Sequence, residues 1–162
     1  MKKRILTWLL AISMLGSLLT VPAGAAAVTK FSDVSDSYTA TAVETLRLMG
    51  VLDGYGDGTF RPDTILNRAQ FCKMAVYAMD GSEELGRYST VTIFPDVKPS
   101  HWASAYINMA AKKGIISGFA DGKFKPGQTV TAGQAVTILM RGLGYKDEDM
   151  GGVWPQSYMA EA

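Results

Sequence analysis

Two stretches of this chain repeat one another, and that repeat restricts the fold more than any other feature. Phe31-Ser-Asp-Val34 is followed by an amphipathic run and then by Gly54-Tyr-Gly-Asp-Gly-Thr-Phe60-Arg-Pro62. Phe94-Pro-Asp-Val97 is followed by a similar run and then by Gly118-Phe-Ala-Asp-Gly-Lys-Phe124-Lys-Pro126. The displacement from Gly54 to Gly118 is 64 residues. A helical unit of this size buries too little alone, so copies must pack on their neighbours. Tandem units also point to a presentation or adhesion module before an enzyme, because catalysis rarely needs two copies.

Each unit reads helix, glycine loop, helix, which makes the chain mainly α. In the first copy Tyr38, Ala42, Val43, Leu46 and Met49 fall on one helical face. Asp36 or Ser37 can cap that helix, and Gly50 stands where a left-handed residue would end it. In the second copy Ser100 is the expected cap, with Trp102, Tyr106, Met109 and Ala110 on the buried face. Lys112 and Lys113 then complement the helix dipole before Gly114. Asn67-Arg-Ala-Gln70 and Thr131-Ala-Gly-Gln134 both have the layout of a capping box, and Leu66 is placed to staple onto Phe71. The helices that follow carry Phe71, Met74, Ala75 and Ala78 in one copy and Ala135, Ile138, Leu139 and Leu143 in the other. Between the helices, Asp57-Gly58 and Asp121-Gly122 mark tight turns that need positive φ at glycine.

These signals divide the chain into unit one at 28–80, a polar connection at 81–92, unit two at 93–145, and the opening of a third unit at 146–162. Trp154-Pro-Gln-Ser-Tyr158 keeps the spacing of Trp102 and Tyr106, so the third copy stops inside its first helix. The expectation is that the remainder lies in a longer product, or that another copy of the chain supplies the surface.

Residues 1–25 read as a signal peptide. Lys2-Lys-Arg4 is a positive head, Ile5 to Val21 is almost uninterrupted apolar sequence, and the small residues at 23–27 suit cleavage near 25–27. The chain is therefore read as exported, with no membrane attachment after cleavage. It has 16 basic and 15 acidic side chains; loss of the leader's three cations leaves 13 against 15, a net charge of −2. That balance gives no electrostatic case for nucleic acid. The lone Cys72 lies in an apolar stretch and reads as a buried structural thiol. The sole His101 has no nucleophile constellation around it in sequence, and helix-start packing is its expected role.

The whole combination resembles the S-layer homology family. The resemblance rests on the two Phe-x-Asp-Val openings, His101-Trp102-Ala103, Gly50-Val51 and Gly114-Ile115 after the first helices, and the Gly-aromatic-x-Asp-Gly-x-Phe-x-Pro loops. Leu66-Asn-Arg-Ala-Gln70 stands where the family has an Ile-Thr-Arg-Ala-Glu-like run. It implies three motifs in a pseudo-threefold helical bundle, here incomplete, with grooves between neighbours. It also implies non-covalent anchoring of an exported protein to the bacterial cell wall, through a secondary cell-wall polysaccharide carrying acidic pyruvyl ketals. No cofactor or metal follows from it.

On that resemblance the candidate carbohydrate-binding residues are Arg68, Asn67, Tyr55, Asp57 and Trp102. Arg68 opens a helix, where free N–H groups and a guanidinium together make a carboxylate site; the alternative is a solvated arginine paired with Asp63. Trp102 can stack on a sugar or pack in the core. Tyr55 is a similar case, and Asp57 reads as a turn former before it reads as a sugar acceptor. The copy of Arg68 in unit two is Ala132, so no equivalent anion site is expected there. Two rival readings remain at this point. One is a self-associating structural or S-layer module, a homo-oligomer formed through the incomplete third unit. The other is an N-terminal anchor belonging to a larger cell-surface enzyme. An enzyme within this chain is not expected, since Asp53 becomes Ser117 in the second copy and no carboxylate pair is fixed. A calcium loop at Asp53 to Thr64 fails on ligand count.

Overall fold

The computed structural model describes residues 30–79, 82–90 and 92–161, so the expected signal peptide lies outside the described residues. Five α-helices follow one another among the described residues: α1 Ser37–Leu48, α2 Arg68–Ala78, α3 Ser104–Lys112, α4 Ala132–Gly142 and α5 Gln156–Glu161. Among the described residues the β structure is limited to a single antiparallel bridge between Asn67 and Thr129. The chain is helical and tandem, as expected.

Local chemistry explains where these helices begin. The Asp36 carboxylate accepts the Thr39 N–H at 2.9 Å and caps α1. Both capping boxes form: Asn67 with Gln70 opens α2, and Thr131 with Gln134 opens α4. The expected Ser100 cap does not form. Helix α3 starts at Ser104 with Ala103 in the cap position, because Lys98 to Trp102 is spent on turns. There the His101 ring nitrogen accepts the Ala103 N–H at 3.1 Å and the His101 carbonyl accepts that of Ser104 at 2.9 Å. The first helix of each unit ends on a glycine at φ 72°, Gly50 and Gly114, as a left-handed exit requires.

Two cores result. The larger joins α2 (Ala69, Cys72, Ala75, Val76) to unit two through Phe94, Val97, Ala103, Ile107, Met109, Ala110, Ile115, Ile116, Phe124 and Ile138. A smaller one holds the front of unit one: Phe31, Val34, Ala40, Val43 and Leu52. The expected apolar stripes are therefore partly displaced. Helix α1 buries Ala40 and Val43, leaving Tyr38, Ala42 and Met49 exposed. On α2 and α4, Ala78, Leu139 and Leu143 are exposed while Cys72, Val76, Thr137 and Met140 are buried. Trp102 precedes α3 and stays more than half exposed. Within the polar connection, Ser82–Tyr88 winds into a 3₁₀ helix docked on α3, with Leu85 and Tyr88 packed on the core. The buried Asn108 amide donates to the Tyr88 carbonyl at 3.2 Å and holds it there.

A device shared by both units ties the opening motif to the loop. Asp33 accepts the N–H groups of Phe60 and Arg61 at 2.7 and 2.6 Å. Asp96 does the same for Phe124 and Lys125 at 2.9 and 2.7 Å. Arg61 and Lys125 both sit at positive φ, 60° and 58°, a conformation costly for a side-chain-bearing residue. Two amide bonds to one carboxylate hold each in place, and the paired phenylalanines, Phe31–Phe60 and Phe94–Phe124, pack beneath.

Candidate functional site

Two grooves of similar size lie at equivalent places in the repeat. The first, about 330 Å³, has Leu52, Asp53, Gly54, Tyr55, Gln70 and Met74 in its lining and is closed by Trp102. The second, about 350 Å³, has the 64-residue counterparts Ile116, Ser117, Gly118, Phe119, Gln134 and Ile138, and is closed by Trp154. Each indole therefore comes from the unit after the loop that it faces.

What separates the grooves is charge. Arg68 lines the second, although it belongs to unit one. Segment 64–69 is knitted to segment 126–130: Arg68 N–H donates to the Gln128 carbonyl at 2.8 Å, Ala69 N–H to Pro126 at 3.0 Å, and Val130 N–H to Leu66 at 3.1 Å. This seats the arginine under the loop of unit two, where it is only 5% exposed. Its Nε donates to the Phe124 carbonyl at 2.8 Å and one Nη to the Ser117 carbonyl at 3.3 Å. The guanidinium lies 4.6 Å from the centres of both the Phe119 and Phe124 rings. Carbonyls and ring faces accept hydrogen bonds and favour a cation, but neither carries a compensating negative charge. Among the described ion pairs none joins Arg68 to a carboxylate, Asp63 included. Burial draws its pKa down, opposed by the nearby Cys72 and Asp96.

A second arginine in this groove is already matched. Arg141 makes a two-point bond to Asp147, Nε to Oδ1 at 2.7 Å and Nη2 to Oδ2 at 2.6 Å, and the Tyr158 hydroxyl donates to the same carboxylate. The Trp154 indole N–H donates to Thr137 Oγ1 at 2.8 Å, which fixes the ring at the mouth.

The S-layer homology domain model matches this chain twice, at residues 30–72 and 93–136, more than half of its length. The chain belongs to the S-layer homology family. It is 39% identical over 142 residues, 86% of its length, to a cell surface protein of Thermoanaerobacter kivui. It is 33% identical over 92% of its length to a surface layer protein of Brevibacillus choshinensis, and 32% identical over 70% to a cellulosome-anchoring protein of Acetivibrio thermocellus. It spans only 18%, 14% and 26% of those three relatives. Membership in the S-layer homology family places the chain among exported proteins of the bacterial cell surface.

Within this S-layer homology frame the five candidate residues are not one cluster. Tyr55 and Trp102 share the first groove, and Arg68 is in the second. Asn67 spends its side-chain oxygen on the Gln70 N–H at 2.9 Å, as a cap. Asp57 accepts from the Thr59 hydroxyl and amide and pairs with Arg61 at 2.7 Å; these partners, Thr59 first, hold its pKa down at about 2. It lines neither groove. The helix N–H groups expected to be open beside Arg68 are taken: Arg68, Ala69 and Gln70 donate to Gln128, Pro126 and Asn67. Only the guanidinium faces the groove. Sequence reading left out Phe119, Ser117, Arg141, Trp154 and Tyr158 as site residues. The repeat register carried a signal for Phe119 and Trp154, as partners of Tyr55 and Trp102. Cys72 and His101 stand as expected, the thiol fully buried and the imidazole at the start of α3.

Proposed function

We propose that this chain is a cell-wall anchoring module that holds an acidic secondary cell-wall polysaccharide, with a pyruvyl-ketal type of carboxylate seated on Arg68. The observation that carries the reading is a buried guanidinium without a paired carboxylate, lining a groove of about 350 Å³ that has an indole at its mouth. A sugar carboxylate entering there supplies the missing charge, while the half-exposed indole of Trp154 offers an apolar face to the ring. The acid is recognised by side chain alone, since the helix amides are occupied. The module anchors and does not catalyse. In a longer product it would fasten whatever is attached to it.

The test is co-sedimentation of the chain with purified wall sacculi, before and after removal of their secondary polymer. Binding should disappear with the polymer and fall at least about tenfold in Arg68→Ala, the loss of one charge-assisted pair in a desolvated site. Binding that survives polymer removal would overturn the anchoring reading; binding untouched by Arg68→Ala would overturn the site alone.

One set of observations favours a second reading, self-association. Tyr38 and Leu48 on α1 with Met49 just after it, and Leu139 on α4 with Leu143 just after it, are large exposed apolar side chains that another copy of the chain would cover. Sedimentation velocity decides it: a single monomeric species across a hundredfold range of concentration rules the homo-oligomer out.

A further inference from the structure

We propose that Asp147 sets the charge that the second groove admits. By neutralising Arg141 it leaves Arg68 as the one open cation among the lining residues, so the groove takes a singly charged acid group and turns away doubly charged ones such as dicarboxylates. The proposal rests on the reading that Arg68 seats a polysaccharide carboxylate, and adds the residue that decides how many charges enter with it.

Among the described residues, the charged side chains that line this groove are Arg68, Arg141 and Asp147, which together carry one net positive charge. The two guanidiniums meet at Ser117: Arg68 donates to its carbonyl and Arg141, through Nη1, to its hydroxyl, each at 3.3 Å. Two free cations on one wall would favour a doubly charged ligand. Asp147 prevents this. Its Oδ1 accepts from Arg141 Nε and from the Tyr158 hydroxyl, and its Oδ2 from Arg141 Nη2, so both oxygens are held and neither is left to swing toward Arg68. The same two donors, Arg141 first, hold the Asp147 carboxyl below its ordinary 3.8, which keeps it charged at neutral pH. The pair is unevenly covered: the Arg141 side chain is 16% exposed, and that of Asp147 64%. The second charge of a dianion would therefore lose water beside an anion, with no cation to receive it. The charges nearest the loop are settled elsewhere. Asp96 is engaged by the Phe124 and Lys125 amides, and Lys125, 4.4 Å over the Phe119 ring, pairs with Asp121 at 3.0 Å.

The experiment titrates the full chain with pyruvate and, separately, with malonate, at neutral pH and fixed ionic strength. It follows the Trp154 indole N–H resonance, assigned through Trp154→Phe. Pyruvate should shift that resonance in the wild type and not in Arg68→Ala, and malonate should bind no more tightly than pyruvate. Asp147→Asn, which frees a second cation, should improve malonate over pyruvate about tenfold. Arg141→Gln, which leaves Asp147 unopposed, should weaken both acids at least about threefold. The double variant returns the groove to one positive charge and should regain the wild-type preference. A merely structural pair would move stability and leave the preference between the acids where it was. Asp147 is exposed and Trp154 keeps its own bond to Thr137, so the variants should stay folded, which circular dichroism checks. Malonate favoured by the wild type, an unchanged preference in Asp147→Asn, or a double variant as weak as Arg141→Gln each overturns this inference alone. Pyruvate binding that survives Arg68→Ala overturns the Arg68 seat and this inference with it. A wild type that answers released wall polysaccharide but neither acid overturns the inference and leaves the anchoring reading standing. A wild type that answers none of the three overturns both.

Discussion

Arg68 shows how little of a residue's role its own neighbourhood in sequence can reveal. Its place at a helix start was legible from the capping box. Its surroundings were not, because the carbonyls that hold it belong to residues 56 and 49 positions away. Arg68→Lys should separate charge from shape. The ammonium keeps the charge but cannot reach both carbonyls in a fixed fork, so polymer binding should fall, though less than in Arg68→Ala. Unfolding by urea should show both variants destabilised by about 1–3 kcal/mol, the cost of leaving buried carbonyls without donors. Cys72 makes the opposite point. Its apolar surroundings were visible in sequence, and burial pushes the thiol up to about 12. At pH 8 the native chain should therefore react with a thiol reagent hardly at all, and rapidly once urea unfolds it. Fast labelling of the folded chain would contradict the packed core around α2.

Among the elements, the helices were read well and their orientations less so. A period of 3.6 identifies a stripe, but α1 has apolar residues on more than one side, and the choice between Ala40–Val43 and Tyr38–Met49 is made by Phe31 and Leu52. The same limit moved Leu139 and Leu143 out of the core. The loops were legible as turns, yet the carboxylates that lock them sit in the Phe-x-Asp-Val motifs about 28 residues upstream. Those carboxylates give the fold an acid dependence of known sign. For Asp33 the Phe60 amide is the main cause of a lowered pKa; for Asp96 burial works against the shift, and the Phe124 and Lys125 amides overcome it. A carboxyl group whose folded pKa lies below its ordinary 3.8 stabilises the folded state fully above that value, and the contribution is lost as the pH falls through the folded pKa. The thermal midpoint should thus drop below pH 4, and Asp33→Asn should be less stable at pH 7 with a flatter acid limb. An unchanged acid limb in Asp33→Asn would remove the loop lock from the account.

For the molecule as a whole, the two cores predict uneven stability. Helix α2 is built into unit two, whereas α1 rests on the small front core. Amide exchange should therefore be markedly faster in 37–48 than in 68–78, the front of unit one opening before the rest; equal protection would mean that the cores act as one. The repeat made the tandem helical architecture readable from sequence, with two copies of the unit. It did not reveal that the grooves straddle those copies, because register relates like residues and says nothing about which unlike ones meet. The second groove takes its arginine from unit one, its loop from unit two and its indole from Trp154 beyond them. No single unit encodes it. Its inheritance therefore depends on the order of units along the gene. A recombination event that transplants one unit would carry away parts of two grooves and complete neither.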